Sequence, residues 1–322
     1  MRESVVSEEL RDAPPILVEQ ILGGADAQTV DAELERLSAV RCFFFAASIG
    51  ALFGIELGDG RRVALKVHQQ RVSAQDLEAV QSAQAELAAR EYPCPRPVLG
   101  PTPFLDRLAT GDEWRDDGVP VETVDDARRL QMAALLARQI TLCAELPAAS
   151  VLAWVPRDER LWPTPHNALF DFERTAAGAE WIDEIAAESR KRNRAGPRVL
   201  AHQDWSVKHF RWKGDAVTVI YDWDSLFVDN ESISVGAAAA THTYPPENAL
   251  PWTPNVDDAI AFLDAYERER PFDAETRRAA EAHAVYSTAY TCRCEHAIAH
   301  GDEFEPVTGA RSVLHEFAER LL

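Results

Sequence analysis

Apolar positions follow two rhythms along this chain. Between Arg41 and His68 they fall in short runs rich in aromatic and β-branched residues: CFFFAA, then LFGIEL, then RRVALKVH. Runs of that length predict strands, and Asp59-Gly60 between the second and third is a hairpin signal, so a three-stranded meander is expected. Two helices are expected before it, around PPILVEQIL and TVDAELERLSAV, separated by Gly23-Gly24. Ser73 to Glu91 reads as a helix with Ser73 as its cap, and the prolines of Tyr92-Pro93-Cys94-Pro95-Arg96-Pro97 lead into a fourth strand over Pro97 to Phe104. The polar stretch from Thr110-Gly111-Asp112 to Gly118-Val119-Pro120 reads as a connection, which places a domain boundary near residue 118. Beyond it the helical rhythm dominates. Helices are expected over Asp125 to Leu146, with Leu130, Ala134, Ala137, Ile140 and Cys143 near one face, then Ala179 to Arg194, Asp257 to Arg270, Ala274 to Ile298 and Ala310 to Leu322.

One stretch interrupts those helices. In LAHQDWSVKHFRWKGDAVTVIYDWDSL, from Leu200 to Leu226, an apolar run ends at His202, Lys213-Gly214-Asp215 forms a tight turn, and residues 216 to 221 alternate as a strand. Asp204 therefore falls on a loop after one strand and Asp222 at the end of another. Either aspartate alone would be an ordinary turn former. Together, held by strand ends, they form a pair of carboxylates that a rigid scaffold can aim at a metal or a reacting hydroxyl.

His202-Gln203-Asp204, His209 five residues after the Asp, and Tyr221-Asp222-Trp223-Asp224 resemble the active-site core of the aminoglycoside phosphotransferase family. That family carries H-G-D-x-x-x-x-N, then a strand and an I-D turn. The separation of eighteen residues between Asp204 and Asp222 is similar to the family's. The sequence departs from the pattern at Gln203, where the family has Gly, and at His209, where it has a metal-binding Asn. The resemblance covers roughly residues 40 to 240. It implies an α+β, two-lobed protein-kinase-like fold, with a nucleotide-binding lobe over residues 1–118 (antiparallel sheet plus helix) and a mainly helical catalytic and substrate-binding lobe over residues 119–322.

The same resemblance implies an activity: transfer of the γ-phosphate of ATP or GTP to a hydroxyl of an aminoglycoside-like antibiotic or a metabolite. Phosphoryl transfer has a loose, charge-rich transition state, so the protein mainly positions the nucleophile and neutralises charge. By resemblance Asp204 is the catalytic base, and Asp222 with His209 holds the metal. Magnesium is the expected ion, and His209 brings in manganese as the alternative because imidazole suits transition metals. Ser48 and Gly50 lie where the family has its phosphate-facing loop, and Lys66, in Val-Ala-Leu-Lys-Val-His, where it has its phosphate-binding lysine. A lysine inside an apolar strand needs an anionic partner. The partner acid is expected near Gln81, and Glu78, one turn earlier on the same face, is assigned that role, with Glu86 as the alternative. Gln203 and His209 motivate a competing reading, a pseudokinase that holds nucleotide without turnover.

Composition narrows the partners. A formal charge of −20 on 322 residues disfavours nucleic acid and anionic membranes and agrees with a cationic small molecule. No run approaches the length of a membrane helix, and MRESVVSEELRD has no signal-peptide order, so a cytoplasmic location is expected. Five cysteines fit reduced thiols. Cys292, His296 and His300 share one helical face, a spacing that also occurs in helix cores without metal.

Overall fold

The computed structural model describes residues 6, 15–47, 50–69, 72–146, 160–167, 169–245, 252–299 and 309–322. They fall into two compact units. The first draws on Met1–Arg90, Cys94–Asp116 and His166–Leu169, and the second on Glu91–Pro93, Asp117–Pro165 and Phe170–Leu322.

In the first unit, helices α1 (Pro15–Leu22) and α2 (Ala27–Arg36) precede strands β1 (Ala39–Ala47), β2 (Ala51–Leu57) and β3 (Arg62–Val67). Helix α3 (Ala74–Ala89) and strands β4 (Pro97–Phe104) and β5 (Arg107–Glu113) complete it. The sheet is antiparallel with strand order β1-β2-β3-β5-β4, so the predicted meander forms. Strand β5 corrects the reading of Thr110 to Asp112 as part of a connection. It pairs with both β3 and β4, entered through Leu105 at a φ of 55°. Gly111 misleads because it looks like a breaker. A Cβ there would lie 2.8 Å from Val63 Cγ1 and 2.9 Å from Leu99 Cβ, so the glycine serves a close approach of neighbouring strands. Phe45, Phe53 and Phe104 pack through the core as tilted rings with centroids 4.8 and 5.8 Å apart, among Ile55, Leu65 and Val67. Each such ring contributes about 2–3 kcal/mol of apolar burial.

The second unit is chiefly helical. It holds α4 (Asp126–Cys143), α5 (Glu180–Arg190), α6 (Glu231–Thr241), α7 (Val256–Glu269), α8 (Ala274–Ile298) and α9 (Ala310–Leu321). Two short antiparallel pairs sit among them, β6 (Arg198–His202) with β9 (Leu226–Asn230), and β7 (Phe210–Lys213) with β8 (Ala216–Ile220). Strand β9 was not foreseen, since Asp229 and Asn230 resemble turn residues; pairing with β6 and burial of Val228 decide otherwise. Asp125 caps α4, accepting from the amide of Arg128 at 2.9 Å. The buried face of α4 runs through Met132, Ala133, Leu136, Ala137, Gln139, Ile140 and Cys143, whereas Leu130 is exposed. Helix α6 approaches α8 closely at Gly236, where a Cβ would come within 2.4 Å of the Ala280 carbonyl oxygen. An antiparallel sheet with helices, followed by a mainly helical part, is the α+β class expected.

Candidate active site

The segment after β6 is fixed on both sides of Asp204 by helix α4. On one side, Gln139, fully buried, accepts from the amide of His202 at 3.2 Å and donates to the Leu200 carbonyl at 3.2 Å. On the other, the indole of Trp205, also fully buried, donates to the Met132 carbonyl at 3.1 Å. Gln203 is tied by its amide to the Ser225 carbonyl at 2.9 Å and by its side chain to Ser234 Oγ at 2.7 Å. Asp204 thus sits on a short loop whose neighbours cannot swing.

His202 is inside. Its Nε2 lies 2.9 Å from the carbonyl of Tyr221, which can only accept, so Nε2 carries the proton and Nδ1, which has no hydrogen-bond partner among the described residues, is the lone-pair nitrogen. Burial, and then the neighbouring His209, lower its pKa and keep it neutral. It therefore acts as a strut between the two aspartate-bearing loops, packed edge-on against Trp205 and Trp223.

The hairpin β7–β8 returns the chain to the same place. The amide of Tyr221 donates to the His209 carbonyl at 3.0 Å, which sets Asp222 beside His209. Asp222 takes the left-handed conformation, φ 69° and ψ 42°. Non-glycine residues adopt this at a cost, least for Asn and Asp, and such positions cluster at functional sites. Ser225 Oγ donates to Asp222 Oδ2 at 3.1 Å.

One donor set results. His209 Nε2 is 2.9 Å from Asp204 Oδ2 and 4.0 Å from Asp222 Oδ2. One ligand atom from each of Asp204, His209 and Asp222 lies within 4.8 Å of the others, the one grouping of that kind among the described residues. Two carboxylates and an imidazole at that separation fit a divalent cation, and an ion there would take the place of the proton that His209 now offers Asp204. Lys208 Nζ reaches Asp204 Oδ2 at 3.1 Å. Burial pushes the Asp204 carboxyl up, but His209 and Lys208 outweigh it and hold the group well below the usual carboxylate range. Tyr244 stands near by: burial first, and Asp204 second, push its phenol up to about 12.

The first unit carries the residues assigned to phosphate. Lys66 lies in β3, opposite Leu52 and Thr110. Gly50 is against it: a Cβ on Gly50 would meet the Val67 carbonyl oxygen at 2.5 Å and Lys66 Cε at 3.9 Å, so only glycine fits. Ser48 lies outside the described residues. Glu78 is exposed on α3 and makes no ion pair among the described residues, so the structure does not bring it to Lys66. The part-buried residue on that helix is Gln81, whose side chain donates to the Leu99 carbonyl at 2.9 Å. The helix α8 cluster is structural. Cys292 and Cys294 are buried thiols pushed up to about 12 by that burial, and His296 is bonded to the Ala177 carbonyl and faces Arg311. His300 lies outside the described residues.

Two supports went unread in the sequence: Gln139 and Trp205. Gln139 carried a usable signal, an amide on the apolar face of an amphipathic helix, which needs a buried partner.

A family model described as the phosphotransferase enzyme family matches residues 50–272. The chain belongs to this family. The phosphotransferase family's members are small-molecule kinases that act on hydroxyl groups, and this protein is such an enzyme. No curated protein matches the chain in sequence. Several solved structures share its fold. An aminopropanol kinase associated with microcompartments is similar at 12% identity over 90% of this chain and 94% of its own, with a TM-score of 0.61. An amicoumacin kinase in complex with AMP-PNP, Ca2+ and Ami is similar at 13% identity over 92% and 93%, with a TM-score of 0.58. An aminoglycoside phosphotransferase from Alicyclobacillus acidocaldarius is similar at 12% identity over 92% of each chain, with a TM-score of 0.51. At these identities the likeness concerns the protein-kinase-like fold. Among the described residues no helix is long and apolar enough to cross a membrane.

Proposed function

We propose that this phosphotransferase moves the γ-phosphoryl group of ATP or GTP to a hydroxyl of a small, cationic acceptor. The observation that carries the reading is the convergence of Asp204, His209 and Asp222 within 4.8 Å on two loops clamped by α4 and the β7–β8 hairpin. Asp204 orients the acceptor hydroxyl and takes its proton; a carboxylate held ionised is ready for that role. Asp222 and His209 hold a divalent cation, Mg2+ or Mn2+, which when bound neutralises charge on the nucleotide phosphates. Lys66 and the Gly50 loop receive those phosphates in a nucleotide-binding part over residues 1–118, while residues 119–322 supply the catalytic groups and the acceptor site. Cytoplasmic nucleotide pools suit this chemistry.

A net charge of −20 raises the local concentration of cationic acceptors. The names of the aminopropanol kinase and the aminoglycoside phosphotransferase point to the same class, hydroxylated amines. Amino alcohols and aminoglycosides are therefore the acceptors to test first, with ATP and GTP, and with Mg2+ and Mn2+. Product formation that falls by about 10²–10⁴-fold in Asp204→Asn, with the thermal midpoint kept, is the expected result. Stabilisation by nucleotide with no transfer to any acceptor would instead mark a nucleotide-binding pseudokinase.

A further inference from the structure

Lys208 and His209 converge on one and the same oxygen of Asp204. Lys208 Nζ is 3.1 Å and His209 Nε2 2.9 Å from Oδ2, while Oδ1 has, among the described residues, the hydroxyl of Ser206 at 3.4 Å. The two ends of the carboxylate therefore differ. Charge-assisted donors draw on the lone pairs of Oδ2, and the long contact to a neutral hydroxyl leaves those of Oδ1 nearly untouched. The carboxylate side chain is 33% exposed, against 19% for Lys208 and 15% for His209, so the donors are the more enclosed partners.

The ammonium of Lys208 has a second anchor. It lies 5.1 Å from the centroid of the Tyr244 ring, within the range of a cation–π contact. Tyr244 in turn stands edge-on to Trp252, centroids 5.0 Å apart at 87°, and its amide donates to the Thr241 carbonyl at the end of α6. A lysine on an open surface samples many rotamers. Lys208 is instead held between a carboxylate on one segment and an aromatic face on another.

The metal makes this lysine matter. An ion held by His209 Nε2 and Asp222 would displace the N–H that His209 gives to Asp204, because a metal and a proton compete for that nitrogen. Among the described residues Lys208 is then the donor that stays on Oδ2.

We propose that Lys208 is a positioning residue for phosphoryl transfer: clamped on the face of Tyr244, it holds Asp204 by Oδ2 and leaves Oδ1 to receive the proton of the acceptor hydroxyl. The proposal rests on the reading of Asp204 as base. In the step, the acceptor O–H bond breaks and its proton passes to Oδ1. The oxygen's electron pair forms the new bond to the γ-phosphorus, and the bond from that phosphorus to the β–γ bridging oxygen breaks with its pair leaving on the nucleoside diphosphate. Without the clamp the carboxylate is free to rotate, and its two oxygens exchange places.

The test uses the full chain, ATP with Mg2+ or Mn2+, and a panel of amino alcohols and aminoglycosides. Lys208→Met is expected to lower kcat about 10–100-fold with KM for ATP and the thermal midpoint unchanged, the split of a contact made in the transition state only. Tyr244→Leu is expected to lower kcat less, and to add nothing in the Lys208→Met background, since the ring acts through the ammonium. Added methylammonium should restore part of the activity of Lys208→Ala, which a merely structural lysine would not allow. Wild-type kcat in Lys208→Met, losses that simply multiply in the double variant, or no recovery with methylammonium would each overturn the proposal. If the wild type transfers phosphate to nothing in the panel, the reading of Asp204 as base fails first. The clamp is then read directly by the 15N-edited NMR signal of the lysine ammonium groups. A slowly exchanging signal lost in Lys208→Met, Tyr244→Leu and Asp204→Asn upholds the clamp, and its absence from the wild type overturns it.

Discussion

The carbonyl of His209 accepts the amide hydrogen of Tyr221 at 3.0 Å, and this single bond sets Asp222 next to the imidazole it shares a site with. Because the bond is made by main chain, it survives replacement of the His209 side chain. His209→Asn therefore exchanges a nitrogen donor for an oxygen donor in an otherwise preserved site. The wild type should prefer Mn2+ over Mg2+ more than His209→Asn does, by about tenfold or more, since imidazole favours the transition metal. Mn2+ binding followed by electron paramagnetic resonance, with Mg2+ as competitor, reads the ratio without turnover; an unchanged ratio would remove His209 from the metal.

Gln139 supports the segment leading to Asp204 from inside the core. Gln139→Leu leaves the amide of His202 without the side-chain acceptor it has now, inside a fully buried segment. A loss of about 1–3 kcal/mol of stability is expected by urea titration. A fall in kcat larger than that of an equally destabilised variant elsewhere should accompany it, because the loop bearing Asp204 loses one of its two clamps.

The expected helices and most strands formed where the hydrophobic period placed them, since pattern and cap chemistry are local properties. Asp125 and Ser73 do cap their helices. What escaped the sequence depended on non-local neighbours. Gly111 looked like a breaker until Val63 and Leu99 were placed on either side of it, and β9 needed β6 beside it to become a strand. In the site, the family motif led to Asp204, His209 and Asp222. The direction in which Glu78 points depended on the packing of α3, which puts Leu77, Val80 and Ala83 inward and Glu78 outward.

Gly236 offers a packing test. Alanine is the better helix former by about 1 kcal/mol, yet the methyl group would enter a space that ends 2.4 Å away at the main-chain oxygen of Ala280 and 2.8 Å away at His283 Cβ. Helices α6 and α8 must separate to admit it. Gly236→Ala is expected to destabilise by about 1–3 kcal/mol, measured by chemical denaturation. A gain in stability would mean that the two helices slide apart freely.

Glu295 gives the folded protein a distinctive response to pH. Its carboxyl is buried on α8 and accepts from the amides of Ala310 and Arg311 at 3.1 and 3.4 Å, yet burial outweighs these bonds and pushes its pKa from 4.5 up to about 7. Between those values the folded protein holds a proton that the unfolded chain releases. The stabilisation from this group is complete below about pH 4.5 and is lost as pH rises toward 7, amounting to about 3 kcal/mol. Glu295→Gln cannot ionise and should flatten that part of the stability profile, measured by urea titration at pH 5 and pH 7.5. Profiles of equal slope in the two proteins would contradict the shift.

The backbone at Asp222 also decides how the enzyme can be disarmed. A left-handed residue tolerates asparagine almost as well as aspartate, whereas alanine and, still more, valine strain the turn that joins β8 to β9. Asparagine at this position deletes a charge while sparing the architecture, and on the proposed role of Asp222 as a metal ligand it is the substitution expected to give an inert but correctly folded protein.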